Sequence, residues 1–240
     1  MKRFFILSIL FMTVCSSCRY LSGKRIMGNA VIKSETRTAG SFSSIDVSGA
    51  IDVYVKQDSV SSIRIETDEN LLEYIEITAN ENILSIKPRR HSNPRPTGKI
   101  KVFVSNPSFK HLEAAGACNI YSENKITDAA TITIDLSGAS DVKMELAAPV
   151  VDVDVSGAGS INLKGEARDF KAQGTGATNI YCYELMAENT TIELTGAGSA
   201  QVFASVKLDV HVSGAADVKY KGNPTVSQSV SGAGSVKKAD

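Results

Sequence analysis

One nine-residue phrase occurs eight times in this chain. It reads VSGAIDVYV from Val47, AAGACNIYS from Ala114, LSGASDVKM from Leu136 and VSGAGSINL from Val155. It returns as GTGATNIYC from Gly174, LTGAGSAQV from Leu194, VSGAADVKY from Val212 and VSGAGSVKK from Val230. The Gly-Ala pair is constant and the polar letters vary, as expected of an architectural corner used at every turn rather than of a catalytic motif used once. From Gly116 to Gly232 the marker glycines are separated by 22, 19, 19, 20, 18 and 18 residues. A period near 20 is the mark of a solenoid. It is too short for two helices per repeat and carries no leucine-rich signature.

Alternation inside the phrase selects strand. Ile132, Ile134 and Leu136 share one face while Thr131, Thr133, Asp135 and Ser137 share the other. Val151, Val153 and Val155 repeat the pattern, and beyond the glycine it resumes at Val142 and Met144, Ile161 and Leu163, Ile180 and Cys182. Glycine suits a sharp corner or a positive φ. Three residues on stands a short polar group (Asp52, Asn119, Asp141, Ser160, Asn179, Ser199, Asp217, Ser235), suited to hydrogen-bonding nearby backbone. The expected fold is all-β, a single-stranded right-handed parallel β-helix of about 19–20 residues per coil, with an irregular N-terminal part. A β-sandwich is the alternative, but it gives no reason for one corner at constant spacing. The chain is 42% hydrophobic yet only 6% aromatic, which favours thin stacked layers.

The N-terminal half is less regular. SIRIETD, YIEITAN, ILSIKP and KIKVFVS alternate as strands, and ITANENILSIK reads as a hairpin turning at Asn80–Asn82. The 67 residues between Gly49 and Gly116 correspond to about three coils with degraded corners. Pro88–Gly98 is a basic, proline-rich loop.

The first residues read as an address. Lys2 and Arg3 precede the apolar run FFILSILFMTV, a secretory signal with a core too short for a comfortable membrane span. Residues Cys15–Cys18 resemble the lipobox of bacterial lipoproteins, with Cys18 the expected lipidated residue and Cys15 weaker because Val14 precedes it. The expected organisation is a signal over 1–17, the lipidated cysteine and a tether over 18–39, and the β-helix over 40–240. RYLSG after Cys18 carries no acidic cluster, which favours the periplasmic face of the outer membrane. Removing Lys2 and Arg3 from 26 basic residues leaves 24 against 26 acidic, so no basic excess points to nucleic acid. Cys118 and Cys182 lie three coils apart, roughly 14 Å, beyond the ~7 Å Cα reach of a disulfide, so two free thiols are expected, Cys182 buried.

The opening GSFSSIDVSGAIDVYVKQ, the stretch IETDENLLEYIEITANENILSIKP and the chain of Gly-Ala phrases resemble the head GIN domain family of auto-transporter adhesins, envelope proteins of gut-dwelling Gram-negative bacteria. The resemblance spans about residues 40–225. It implies a right-handed β-helix and an envelope role, and it brings no catalytic residues.

Residue chemistry adds several candidates. No nucleophile elbow is present. The Gly-rich corners lack the third glycine and the helix of a dinucleotide fingerprint. His91, His111 and His211 have no metal spacing, and the corner carboxylates lack the nine-residue period of calcium β-rolls. No metal and no cofactor are expected. Three residues before their glycines stand Glu113, Asp135, Asp154, Gln173, Glu193 and His211, an outward row whose like charges oppose one another unless a cation or partner answers them. Asp135 and Asp154 would have the separation of a retaining glycosidase pair, a spacing that any outward acidic ladder shares. Arg89, Arg90, His91 and Arg95 suit an anionic group. Tyr54, Tyr121 and Tyr181 point outward on coils taken to be non-adjacent, which argues against a continuous aromatic platform.

These features give a non-enzymatic, lipid-anchored envelope protein whose surface binds an extended glycan or protein. The alternatives are a glycan-active enzyme using the acidic row, or a scaffold self-associating weakly through its C-terminal coil, where Lys237 and Lys238 would guard the edge.

Overall fold

The computed structural model describes residues 23–239. The expected signal segment, Cys15 and the lipidation candidate Cys18 lie outside these residues.

The fold is the expected all-β solenoid. Seventeen strands form one sheet, parallel along the regular coils. The marker glycines form a single column: Gly49 faces Gly116, then Gly138, Gly157, Gly176, Gly196, Gly214 and Gly232 follow in register. Glycine is required there twice over. Each has a positive φ, 119° at Gly157 for example. A Cβ on Gly116 or Gly138 would also lie within 2.6 Å of the carbonyl oxygen of the glycine below. That close approach lets the following alanine donate its N–H to the same carbonyl, as Ala139 does to Gly116 at 2.7 Å and Ala158 to Gly138 at 2.8 Å. The corner is thus a hydrogen-bonded ladder, and a side chain in the column would separate its rungs.

Inside, alternating positions stack as apolar columns. Ile45, Leu112, Ile134, Val153, Ala172, Ile192 and Val210 are all buried in one of them. Cys182 and Cys118 are both buried and both free, as expected from their coil separation. Burial pushes the Cys182 thiol up to about 12 and also raises that of Cys118.

The polar column beyond the corner bonds from coil to coil rather than to its own turn. Asn119 Nδ2 donates to Asp52 Oδ1 at 2.7 Å, Ser199 Oγ to Asn179 Oδ1 at 2.9 Å and Ser235 Oγ to Asp217 Oδ1 at 2.6 Å, while Ser160 donates to Asp141. The column is built in pairs, an acceptor and then a donor, so its period is two coils.

The N-terminal part departs from expectation in three ways. The interval from Gly49 to Gly116 is not three degraded coils, because Ser44–Gly49 lies directly beneath His111–Gly116. The intervening chain goes to the other side. Ile83–Pro88 and Ile100–Asn106 form a coil that pairs beneath Ser44–Gly49 and Ile51–Gln57. Beyond that coil, Ser62–Asp68 and Ile75–Asn80 run antiparallel along its edges, with the 3-10 helix Glu69–Tyr74 between them. Leu71 and Leu72 of that helix are buried. This is a cap, and its alternating sequences resemble coils because edge strands carry the same period of two. The expected hairpin is present: Glu81 and Asn82 both have positive φ, as a two-residue type I′ turn requires.

The second departure is the tether. Of the stretch expected as linker up to residue 39, Lys24–Met27 and Ile32–Arg37 are strands, the latter antiparallel to Ser62–Asp68. Thirdly, the basic loop is not a free connection. Ser92–Arg95 pairs with Lys24–Met27 in a two-stranded sheet. Asp68, fully buried, fastens these pieces: it accepts from Ala30 N at 2.7 Å, Thr97 N at 2.9 Å and Thr97 Oγ1 at 2.8 Å. Burial alone would raise its pKa, but these hydrogen bonds outweigh it and hold the carboxyl below the usual range.

Candidate functional site

Because a strand presents every second residue outward, registered coils align the acids before the corner into a row. Asp46 faces Glu113, Glu113 faces Asp135 and Asp135 faces Asp154, after which come Gln173, Glu193 and His211. Asp46 extends the row by one rung once the Gly49 coil is placed next to the Gly116 coil. Glu113, Asp135 and Asp154 line a shallow cleft of about 150 Å³. Burial pushes the Asp135 carboxyl up; His111 works against this, while Asp154, Glu113 and Asp152 add to it. His111 Nε2 lies 3.8 Å from both Glu113 Oε2 and Asp135 Oδ2. Higher up, Gln173 interrupts the charge and donates to Glu193 Oε2 at 2.9 Å. Four carboxylates on consecutive coils are therefore answered locally by one imidazole, which makes the lower row a place where added positive charge is favourable.

The basic residues of the loop stand elsewhere, on the connection between Ile83–Pro88 and Ile100–Asn106 at the capped end. Arg89 is engaged, its Nε 3.6 Å from Glu76 Oε1. His91 has φ 63°, and its carbonyl accepts from Lys24 N at 2.8 Å. Arg90 and Arg95 are exposed. The loop and the acidic row are thus separate features.

A third feature lies on the outward face just past the corner. Tyr54 and Tyr121 were expected on non-adjacent coils. They face each other in register, with Phe103 on the far side of Tyr54. The ring centroids are 4.9 Å apart for Tyr54–Phe103 and 5.2 Å for Tyr54–Tyr121, and Arg64 covers Phe103 at 3.9 Å from its centroid. They meet because the Gly49 coil lies directly beneath the Gly116 coil. The column continues upward through Lys143 and Asn162 to Tyr181. A cleft of about 230 Å³ lies between Tyr121 and Asn162, and another of about 290 Å³ runs from Asn162 past Tyr181 to Gln201 on the next coil. Beside the column Asp52 is buried, with Lys99 Nζ at 2.6 Å, a contact that raises the Lys99 pKa.

Among the described residues, no grouping of three or more His, Cys, Asp or Glu side chains has the geometry to hold a metal ion. Nor is any helix there long and apolar enough to cross a membrane.

Comparisons with known proteins agree with this architecture. The model of the family described as "Putative auto-transporter adhesin, head GIN domain" matches residues 41–224. A search of the curated proteins gives no match. Among solved structures, a "putative adhesin" from Bacteroides fragilis superposes with a TM-score of 0.82 at 23% identity, covering 89% of this chain and 100% of that one. A "putative adhesin" from Parabacteroides merdae gives 0.74 at 22% identity, covering 91% and 100%. A "Putative lipid binding protein" from Parabacteroides distasonis gives 0.69 at 20%, covering 90% and 100%. At these identities the likeness establishes the fold, and the family match, which takes in the cap as well as the coils, establishes the lineage: this chain belongs to the head GIN domain family.

Proposed function

We propose that the protein is a non-enzymatic envelope protein, anchored to the outer membrane through lipidated Cys18, whose β-helix binds an extended ligand. The observation that carries this reading is the register of the exterior. The column before the corner runs in register across eight coils, from Asp46 to Ser229, and the column after it runs in register from Asp52 to Asn179. Such faces meet a long ligand many times, each contact weak and the sum strong. The adhesin relatives support a binding role by kinship. The missing acidic cluster after Cys18 favours the periplasmic leaflet.

The test has two parts. Chain lacking residues 1–18 is applied to arrays of glycans and host proteins, where retention of a long ligand is expected and absence of any binding counts against the reading. In cells, labelling with an alkyne-bearing fatty acid is expected to tag the wild type and not Cys18→Ala.

One observation favours a second reading. Asp135, its carboxyl pushed up by burial, stands beside Asp154 in the 150 Å³ cleft, and two neighbouring carboxyl groups are what glycan cleavage uses. Asp135→Asn abolishes activity if this reading holds and leaves glycan binding intact if the first does.

A further inference from the structure

We propose that the outward face past the corners carries an oligosaccharide-binding groove. Tyr121 and Tyr181 are its stacking rings and Asn162, between them, is its central hydrogen-bonding group. This inference rests on the binding role just argued and names the ligand class and the place.

Three observations carry it. First, the two clefts of about 230 and 290 Å³ meet at Asn162, so together they line one stretch of the surface across successive coils. Second, the trough holds two aromatic rings, Tyr121 at one end and Tyr181 one coil short of Gln201 at the other. One face of Tyr121 is occupied by Tyr54, and the register puts Lys143 and the cleft on its other side. Tyr181 is 40% exposed. Third, the strand Asn179–Phe203 has an irregularity here: Asn162 faces Tyr181 but Lys164 faces Glu184, one residue out of step. A bulge adds an outward side chain and re-aims its neighbours. Tyr181, Tyr183 and Glu184 consequently all line the trough while Cys182 stays in the core.

Two of the polar groups between the rings are unspent. Lys164 is held by Glu145 at 3.0 Å, but among the described residues no side chain engages the Asn162 amide or the Lys143 ammonium. A pyranose offers an apolar C–H face to an aromatic ring and pairs of hydroxyls to a planar amide, which is the chemistry displayed here. Tyr121 and Tyr181 are three coils apart, about 14 Å at the ~4.8 Å spacing of strands, a span of roughly three sugar units. The free Lys143 tolerates or prefers a uronate among them. A protein partner would call for a deep apolar pocket to receive an anchoring side chain, and the trough is shallow and mixes polar with apolar surface.

The experiment uses the full chain in detergent on a printed panel of defined linear oligosaccharides of three to five hexopyranose units, some containing uronic acid. Titration calorimetry follows with the strongest binder. Tyr121→Ala and Tyr181→Ala are each expected to weaken binding by about tenfold or more, and Asn162→Ala by several-fold. Tyr121→Phe keeps the ring and stays within about threefold, and Lys33→Ala, exposed on the strand Ile32–Arg37 at the capped end, changes nothing. Far-UV circular dichroism checks that each variant is folded. The groove is overturned if folded Tyr121→Ala and Tyr181→Ala bind as the wild type does, or if the wild type retains none of the panel. In the latter case, retention of host proteins leaves the broader binding role standing, and retention of nothing removes both.

Discussion

The two ends of the solenoid are built from similar alternating sequences and finish in opposite ways. At the N-terminal end two antiparallel strands cover the last parallel coil, a 3-10 helix inserts Leu71 and Leu72, and Arg37 donates to the carbonyls of Leu72 and Ile75 at 2.7 and 2.5 Å. At the C-terminal end the strand Thr225–Gly232 is exposed along its whole length, leaving Val226 and Val230 37% and 39% accessible. Val226 faces buried Leu208 and Val230 faces buried Val212, so both occupy core columns with no coil above them among the described residues. The same position that is core in one coil is surface in the last, and only a neighbour decides which. Gln228 stands in the column that holds Val210 below, a polar residue where burial is absent.

This contrast can be tested by making equivalent changes along the stack. The largest effect is expected from Gly157→Ala. It places a side chain at φ 119° and against the carbonyl of Gly138, costing roughly 3–5 kcal/mol in urea unfolding. Gly232→Ala is chemically the same change at φ 122°, yet local fraying of the last coil should hold its cost below about 1 kcal/mol. Equal costs would show that the last coil is as firmly held as the middle.

Next comes Leu71→Ala in the cap, expected to lose about 2–4 kcal/mol, against less than ~0.5 kcal/mol for exposed Val230→Ala.

Acid should separate the cap from the carboxylate row. Asp68 has its pKa lowered by folding, so its contribution is complete above the unfolded value and is lost as pH falls through the folded one. Asp135 has its pKa raised, so its contribution is complete below 3.8 and is lost as pH rises through the folded value. Asp68→Asn is expected to destabilise at pH 7 by about 1–2 kcal/mol and to flatten the acid limb of a Tm-versus-pH curve. Asp135→Asn, at a partly exposed site, should raise Tm by only ~1 °C at neutral pH, with the gain vanishing in acid.

The smallest signal is chemical. With its thiol pushed up to about 12 and buried, Cys182 should give no reaction with Ellman's reagent at pH 8 until the stack unfolds.

Sequence made the regular coils legible because each coil repeats a requirement. Glycines at steps of 18–22 residues, inward apolar residues and a buried Cys182 all follow from stacking identical corners. It did not reveal what depends on which coil lies next to which. Alternation in Ser62–Asp68 and Ile75–Asn80 is the same for a parallel coil and an antiparallel cap strand, so the cap resembled degraded coils. The aromatic stack was lost with it: Tyr54 and Tyr121 are 67 residues apart, and Phe103 carries no mark of belonging to their column. Lys24–Met27 was lost for another reason, since KRIM is too short and polar to show a period and is a strand only through its partner Ser92–Arg95. The cleft at Tyr181 depends on one extra residue in a strand, and a step of 20 rather than 19 from Gly176 to Gly196 was its only visible sign.

The coil of Ser44–Gln57 is held on both sides by chain that comes after it, Ile83–Asn106 below and His111–Ser122 above. As the chain folds, this segment waits for both neighbours before it has a home. Bringing residue 116 onto residue 49 closes a loop more than three times longer than the later 18–22-residue steps, an added entropic cost of about 1 kcal/mol. Assembly therefore has one slow, non-local event near its beginning and a rapid zippering afterwards. The number of later turns is free to change without touching the step that sets the rate.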